Sequence, residues 1–188
     1  MEGKRRAAVA MVLRQAGDGP EVLFIERARH EGDPWSGHMA FPGGRLEPED
    51  PHARAAAERE TYEEVGVSLK DARLLGRLDD KQGNPRTHPA LVISAFVYGV
   101  EDPPRLVPNH EVEEAFWFPL RGLLEPTNHV EYPAREELCF PGILVGEPDR
   151  HIVWGLTYSF LESFFDSVGR PLPNRWPPDM RTRAVQHR

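Results

Sequence analysis

The most informative stretch of this sequence runs from Gly43 to Val67 and reads GGRLEPEDPHARAAAERETYEEVGV. Its second half contains no helix breaker over 53–64, and Pro51 suits the first helical turn. Asp50 is a favourable N-cap, and Gly66 can end a helix in a left-handed conformation. The stretch therefore predicts a helix over 53–64 that follows a glycine turn.

Three carboxylates of this helix lie on one side. Each residue turns the helix by about 100°, so Glu60, Glu63 and Glu64 share one arc. Like charges at this spacing repel, and a solvated acidic face or a bound cation would relieve the repulsion. The Gly43-Gly44 turn favours the cation, because glycines let backbone atoms approach closely. Mg²⁺ or Mn²⁺ would suit these hard oxygen ligands.

This pattern resembles the Nudix box, G-x5-E-x7-R-E-U-x-E-E-x-G-U, in which U is a bulky apolar residue. Gly44 matches the opening glycine. The second half is matched by Arg59, Glu60, Glu63, Glu64, Gly66 and Val67. The pattern is long and mixed in residue type, so a chance match is improbable, and the flanking strand order extends the resemblance over residues 5–168.

The resemblance implies a Nudix-like α/β/α sandwich with a mixed β-sheet. It also implies a metal-dependent hydrolase that cleaves a nucleoside diphosphate linked to another moiety, with Mg²⁺ or Mn²⁺ as cofactor. By the same resemblance, the metal ligands are the Gly44 carbonyl and the side chains of Glu60, Glu63 and Glu64. Arg59 is expected to form an ion pair with a box glutamate and to orient it. The general base stays open among Glu60, Glu63 and the loop acids Glu111, Glu113 and Glu114.

Two features depart from the family pattern. The spacing from Gly44 to Arg59 is one residue longer than usual, and Asp50 stands near the place of the first box glutamate. A plain N-cap is the favoured role for Asp50. Thr61 replaces an apolar residue, which should affect packing and not chemistry.

A finer resemblance to the coenzyme A pyrophosphatase branch lies upstream of the box. The segment 23–28, Gly37 and the run Phe41-Pro42-Gly43-Gly44 follow that pattern, although Ile25 and Ala28 replace its threonine and serine. The longer box and the segment 153–157 are also typical of the branch. The substrate implied is CoA or an acyl-CoA, cleaved to 3′,5′-ADP and 4′-phosphopantetheine.

Other substrates and roles remain open. ADP-ribose or a dinucleotide is the alternative substrate, and a nucleotide-binding module without catalysis is the rival class. The candidate substrate-binding residues are Arg27, Arg29, Gly43 and Lys81. Arg27 is a candidate phosphate clamp, because a guanidinium matches phosphate oxygens.

The rest of the chain reads as one α/β domain over 1–170 with a Pro-rich, extended or disordered tail over 171–188. Apolar runs predict strands at 7–13, 21–27, 72–79, 90–100 and 114–118, then at 143–145 and 151–153. A short strand is expected at the start of 39–44, and an amphipathic helix over about 154–168 closes the fold. Cys139 is expected to lie in a buried strand as an idle thiol.

Composition narrows the function class. The chain has 188 residues, 39% of them hydrophobic, and a formal net charge of −7, which is too apolar for a disordered chain. The acidic balance argues against a general nucleic-acid or anionic-membrane binder, and no stretch approaches the ~20 apolar residues of a membrane span. We therefore expect a cytoplasmic protein without a nucleic-acid or membrane partner. The family resemblance implies a small-molecule nucleotide substrate, and it makes a homodimer possible because family members are often dimers, whereas the sequence does not determine the oligomeric state.

Overall fold

The computed structural model describes residues 5–31, 35–83, 91–135 and 138–175. Two helices longer than two turns lie in this part of the chain, α1 (Ala53–Val65) and α2 (Gly155–Ser167). The strands are β1 (Arg6–Ala16), β2 (Gly19–Arg27), β3 (Met39–Ala40), β4 (Gly43–Arg45), β5 (Arg73–Gln82), β6 (Val92–Val100), β7 (Val112–Pro119), β8 (His129–Arg135), β9 (Leu138–Leu144) and β10 (Ile152–Trp154). Short 3₁₀ helices cover Leu120–Leu124 and Pro126–Asn128.

A seven-stranded mixed sheet forms the centre of the molecule. Its main order is β3-β2-β1-β6-β5, with β4 paired to β1 and β7 paired to β2. Strands β1 and β6 run parallel, and their other partners are antiparallel. The predicted mixed sheet is confirmed, and β6 is buried on both faces as its apolar run indicated.

The two helices cover opposite faces of this sheet. Helix α1 packs on one face with Leu23 and Ile25 of β2. Helix α2 packs on the other face with Val22 and Phe24. Successive side chains of β2 therefore pack into two separate cores, because neighbouring residues of a strand point to opposite faces of the sheet. The predicted α/β/α sandwich is confirmed.

A second, three-stranded sheet was only partly predicted. It has the order β10-β9-β8 and is antiparallel. Strand β8 was missed because Pro133 interrupts its pattern. Cys139 lies in β9, but it is exposed, so the prediction of a buried cysteine is wrong: the strand is present, and residue 139 faces away from the core.

The N-cap of α1 differs from the prediction. His52 caps the helix, and its Nδ1 accepts a hydrogen bond from the backbone N–H of Ala55 at 3.0 Å. Asp50 is therefore free of the capping role and takes a different one at the site. Gly66 ends the helix as predicted, with φ at +75° and its N–H donating to the carbonyl of Tyr62.

The packed chain continues past residue 170. Leu172 is buried in the α2-side core, and the Tyr158 hydroxyl donates to the carbonyl of Asn174. Residues 172 and 174, which the sequence assigned to the tail, thus pack on the domain, while 176–188 lies outside the described residues. No helix within the described ranges is long and apolar enough to cross a membrane.

Candidate active site

The box helix lies close to the sheet because its inner face is small. Ala53, Ala56 and Ala57 are buried against β1 and β4. Thr61 takes the place of the family's apolar residue and is fully buried, and its Oγ1 donates to the carbonyl of Ala57 at 2.7 Å. The hydroxyl is thereby satisfied inside the helix, so this departure leaves the helix intact.

The first glycine of the turn brings the backbone into contact with a buried carboxylate. The N–H of Gly43 donates to Oε2 of Glu64 at 2.8 Å. Gly43 has a φ of +148°, and a Cβ added there would lie 2.3 Å from the carbonyl oxygen of Ala8. Only glycine fits this position, because both the conformation and the space exclude a side chain.

The second glycine of the turn lies directly against another box carboxylate. A Cβ added to Gly44 would lie 2.3 Å from Oε1 of Glu60. The Glu60 side chain therefore occupies the space that any larger residue would need. The structure thus brings Gly43, Gly44, Glu60 and Glu64 together, as the sequence predicted for one site.

Burial controls the ionisation of these carboxylates. Glu64 is 1% exposed, and burial raises its pKa from 4.5 to about 8. The Gly43 N–H and the charge of Arg27 oppose this shift, while the charges of Glu60 and Glu111 increase it. Burial likewise raises the pKa of Glu60. The site holds more negative charge than its own cations balance.

Arg59 is held by carboxylates on three sides. Its Nε and Nη2 lie 3.2 Å and 3.0 Å from the two oxygens of Asp50. Its Nη1 lies 3.1 Å from both Oε1 of Glu60 and Oε2 of Glu63. The expected ion pair with a box glutamate is present, and the hydrogen bonds from Arg59 also hold the pKa of Asp50 below its usual range. Asp50 thus orients Arg59 across the longer spacing of this box, instead of capping the helix.

The residues of this site fit a divalent cation. The donors are carboxylate oxygens with a backbone turn beside them, which Mg²⁺ and Mn²⁺ prefer. Glu64 receives one backbone N–H, and burial, with smaller contributions from Glu60 and Glu111, raises its pKa. A cation at this point would remove the electrostatic penalty that the protein alone leaves in place. Glu63 lies at the edge of the group, with half of its side chain exposed.

The candidate substrate-binding residues do not all come together. Arg27 lies at the end of β2 on the α1 side, where its charge acts on Glu64. Arg29 lines a cleft of about 520 Å³ with His38, Trp154 and other side chains. Lys81 lies on the other face of the sheet, and its Nζ donates to Oγ of Ser163 in α2 at 2.8 Å. The structure therefore gathers Arg27 and Gly43 at the box and separates Lys81 from it.

The acidic residues of the loop before Phe116 do not all lie at the box. Glu111 lies close enough to raise the pKa values of both Glu60 and Glu64. Glu114 faces the other side of the sheet, where Arg150 Nη2 lies 3.2 Å from its Oε2. Of the open general-base candidates, Glu111 is therefore beside the box and Glu114 is not.

A cluster that the sequence did not reveal surrounds Arg150. It joins Glu26, Glu114 and His151, whose ligand atoms lie within 4.8 Å of one another. These donors do not fit a metal, because Nδ1 of His151 accepts the N–H of Glu147 at 3.0 Å. The ring proton then lies on Nε2, 3.5 Å and 3.4 Å from the carboxylates of Glu26 and Glu114, so this atom has no lone pair to offer a metal. Arg150 already supplies the cation, 2.6 Å from Oε2 of Glu26.

The box geometry agrees with a comparison against known families, in which the model described as the NUDIX domain matches residues 4–138. The chain belongs to the Nudix family. Similar curated proteins include the mitochondrial coenzyme A diphosphatase NUDT8 of Homo sapiens, 34% identical over 80% of this chain and 64% of the relative. The peroxisomal coenzyme A diphosphatase ndx-8 of Caenorhabditis elegans is 37% identical over 68% of this chain and 54% of the relative.

An uncharacterised protein of Schizosaccharomyces pombe is 41% identical over 57% of this Nudix chain and 34% of its own length. The chain thus spans between one third and two thirds of these relatives. Among solved structures, a MutT/nudix family protein from Enterococcus faecalis matches 90% of this chain and 64% of its own, with a TM-score of 0.60 and 19% identity. The NUDIX domain of Shewanella oneidensis NrtR, complexed with ADP ribose, matches 64% of this chain and 76% of its own, with a TM-score of 0.52 and 17% identity. At these identities the solved structures support the fold alone.

Proposed function

We propose that this Nudix domain hydrolyses the pyrophosphate bond of a nucleoside diphosphate derivative with Mg²⁺ or Mn²⁺ as cofactor. The observation that carries the proposal is a pair of carboxylates packed against the Gly43-Gly44 turn, those of the buried Glu64 and the half-buried Glu60. Glu60, Glu63, Glu64 and the Gly44 carbonyl are the proposed metal-binding groups. The bound metal would neutralise the pyrophosphate and activate the attacking water.

The remaining residues would position the reactants. Arg59 would fix the rotamers of Glu60 and Glu63 through the contacts described above. Arg27 would contact a phosphate oxygen from the end of β2, and its planar guanidinium suits that ligand. Glu111 lies where it could accept a proton near Glu60 and Glu64. Because all three box glutamates and Arg59 are present, a catalytic role is favoured over a nucleotide-binding module without activity.

CoA or an acyl-CoA is the substrate we propose. The support is the Phe41-Pro42-Gly43-Gly44 run, the longer box and the names of two similar proteins, both coenzyme A diphosphatases. Water would attack one phosphorus and the other phosphate would leave, which gives 3′,5′-ADP and 4′-phosphopantetheine. Arg29, in the cleft beside β3, is the proposed contact for the 3′-phosphate of CoA.

One observation keeps ADP-ribose as a second candidate. CoA carries a 3′-phosphate that ADP-ribose lacks, and a CoA site should offer cations to it. Lys81, the third cation expected there, faces α2 and donates to Ser163. Of the three candidate cations, only Arg27 and Arg29 therefore remain as candidates for the 3′-phosphate of CoA.

A substrate panel tests this function. CoA, dephospho-CoA, ADP-ribose and a dinucleotide would each be incubated with Mg²⁺ or Mn²⁺, and the products resolved by chromatography. We expect kcat/KM to be highest for CoA and lower for dephospho-CoA, because a cation left without its phosphate costs binding energy. A clear preference for ADP-ribose would remove the CoA assignment, and no cleavage of any member of the panel would remove the hydrolase.

The cytoplasmic localisation and the homodimer stay predictions. The two similar coenzyme A diphosphatases are named as mitochondrial and peroxisomal, so location varies among the relatives. Fractionation of cells that express the protein, and light scattering of the purified chain, would test these two points.

A further inference from the structure

The end of strand β2 carries two charged side chains that serve opposite faces of the sheet. Glu26 is two residues after Phe24, so its side chain points to the same face of the sheet. It is 1% exposed on this α2 side. Arg27 follows Ile25 on the α1 side, where its charge lowers the pKa of Glu64. The backbone that fixes Glu26 therefore also fixes Arg27, since the two residues are joined by one peptide bond.

A β-bulge lies at the junction of these two residues. Glu26 pairs with Glu114 of β7, whereas Arg27 pairs with Val112, so Glu113 is an extra residue in the ladder. A bulge bends the strand that carries the extra residue, here β7, and bulges are frequent beside active sites. The pairing of Arg27 with β7 thus depends on how this bulge is held.

Arg150 holds both strands at this bulge. Its Nη2 lies 2.6 Å from Oε2 of Glu26 on β2 and 3.2 Å from Oε2 of Glu114 on β7. A further bond joins its Nε to Oε2 of Glu26 at 3.0 Å. Without this guanidinium, two carboxylates would face each other directly across the strand pair, which is destabilising.

The loop that presents Arg150 is itself fixed. The N–H of His151 donates to the carbonyl of Glu147 at 3.0 Å, and the N–H of Val145 donates to the carbonyl of His151 at 2.9 Å. The His151 ring is 3% exposed, and its Nε2 lies 3.4 Å and 3.5 Å from the carboxylates of Glu114 and Glu26. A closed turn thus brings the cation and the imidazole to the bulge from the second sheet.

We propose that Arg150 is a positioning residue for Arg27: by clamping Glu26 to Glu114, it fixes the pairing of β2 with the bulged strand β7 and so keeps the end of β2, with Arg27, in place beside the box. This proposal rests on the proposed function, in which Arg27 contacts a phosphate of the substrate. Arg150 acts from the opposite face of the sheet, where it lines the same cleft as Arg29, and it touches neither the box nor its carboxylates. Loss of Arg150 can therefore change KM directly at this cleft or through Arg27, and only the part that depends on Arg27 belongs to the proposal.

A double-mutant cycle tests the coupling. With the best substrate of the panel, Arg150→Met is expected to raise KM by roughly 5- to 10-fold and to change kcat by less than about threefold, because an aligning contact is loosened. In an Arg27→Met background the same change should alter KM by less than about twofold. Arg150→Lys should recover part of the loss. Equal effects of Arg150→Met in both backgrounds would show that it acts independently of Arg27 and would overturn the proposal.

The matched control is Arg14→Met. Arg14 pairs with Glu21 at the other end of β2 at 2.7 Å, with 31% of its side chain exposed against 33% for Arg150. Arg14→Met should leave KM unchanged. It should lower the melting temperature less than Arg150→Met does, because Glu21 is 19% exposed and Glu26 only 1%. A KM shift of the same size in Arg14→Met would mean that any loosening of β2 suffices, which would also overturn the specific role of Arg150.

A measurement without turnover separates this proposal from the proposed function. In protein with ¹⁵N-labelled arginine, the Nε–Hε NMR signal of Arg27 is assigned by its loss in Arg27→Met. We expect this signal to shift in Arg150→Met and to stay in place in Arg14→Met. An unmoved signal in Arg150→Met overturns the positioning role even if the enzyme is active, and a moved signal supports that role even if no substrate of the panel is cleaved.

Discussion

Two buried glutamates with the same exposure have opposite electrostatic surroundings in this molecule. Glu26 and Glu64 are each 1% exposed, on opposite faces of the sheet. Glu26 has the Arg150 guanidinium 2.6 Å from its carboxylate. Glu64 receives one N–H from Gly43, and burial raises its pKa to about 8. The charges of Glu60 and Glu111 add to this rise, and the charge of Arg27 opposes it.

The difference indicates that the charge of Glu64, unlike that of Glu26, is left for a bound cation to balance. A buried carboxylate with its own guanidinium is electrostatically complete, whereas one among other carboxylates is not. Burial alone would not have distinguished the structural position from the candidate metal-binding position. The identity and number of the neighbouring cations distinguish them.

The largest expected effect concerns catalysis at Glu64. Glu64→Gln should keep the fold and lower kcat by about 100-fold or more, because a metal is worth several kcal/mol of transition-state stabilisation. Glu26→Gln, equally buried, should change kcat by less than about threefold and act mainly on KM. Steady-state kinetics of both variants and of the wild type would measure these effects. Near-full turnover by Glu64→Gln would show that Glu64 is not a metal ligand.

The stability of the metal-free protein should respond to pH through the same residue. Glu64 has an ordinary pKa of 4.5 and a folded-state pKa of about 8. Below pH 4.5 both states hold the proton; between 4.5 and 8 the unfolded chain releases it and the folded chain keeps it. Stability from this group is therefore present at low pH and lost as pH rises through this window.

Glu64→Gln should accordingly become more stable than wild type in EDTA as pH rises from 4.5 to 8, by a few kcal/mol at the upper end. Mg²⁺ at pH 8 should raise the melting temperature of wild type much more than that of the variant. Chemical denaturation at several pH values measures the difference. A constant difference across the window would show that Glu64 titrates normally in the folded protein.

Gly44→Ala tests the close approach of the turn to Glu60. The added Cβ would lie 2.3 Å from Oε1 of Glu60, so the carboxylate must move. Because displacements of about 1 Å can cost 100-fold, we expect kcat to fall by roughly 10- to 100-fold. Gly76→Ala in β5 is the control, since a Cβ there meets nothing within 4 Å. Equal activity of the two variants would mean that Glu60 has room to adjust.

The smallest expected effect concerns Arg59. Arg59→Lys keeps the charge but loses the bidentate contact with Asp50, and we expect kcat to fall about tenfold with little change in KM. Asp50→Asn should move kcat in the same direction, because it weakens the same clamp. A large rise in KM with unchanged kcat would instead place Arg59 in contact with the substrate.

The local patterns predicted most of the individual elements. Helix α1, its end at Gly66, helix α2 and the long strands β1, β2 and β6 follow from periodicity and breakers, which act over a few neighbouring residues. The predicted N-cap, Asp50, lies two residues before the observed one, His52. Asp50 instead accepts two hydrogen bonds from Arg59. Strand β8 and the exposure of Cys139 depended on the pairing of three short strands, which no local pattern contains.

The Glu26–Arg150 contact could not have been found in the sequence. The two residues are 124 positions apart, and each alone resembles an ordinary surface charge. Only the alternation of β2 was available as a signal, and it indicates that Glu26 faces an apolar core without naming its partner. The separation of Lys81 from Arg27 had the same origin, since the face of β5 that packs on α2 is a tertiary property.

The sequence by itself determined the chemistry of the box, because seven matching positions within 44–67 define both a helix and its acidic face. It also determined that glycines must precede this helix. The tertiary structure alone decided that Glu26 has a guanidinium in direct contact, whereas Glu64 has a backbone N–H and only the more distant charge of Arg27. That assignment is made by charges brought together across the sheet, and electrostatic energy depends on distance in space, not on separation along the chain.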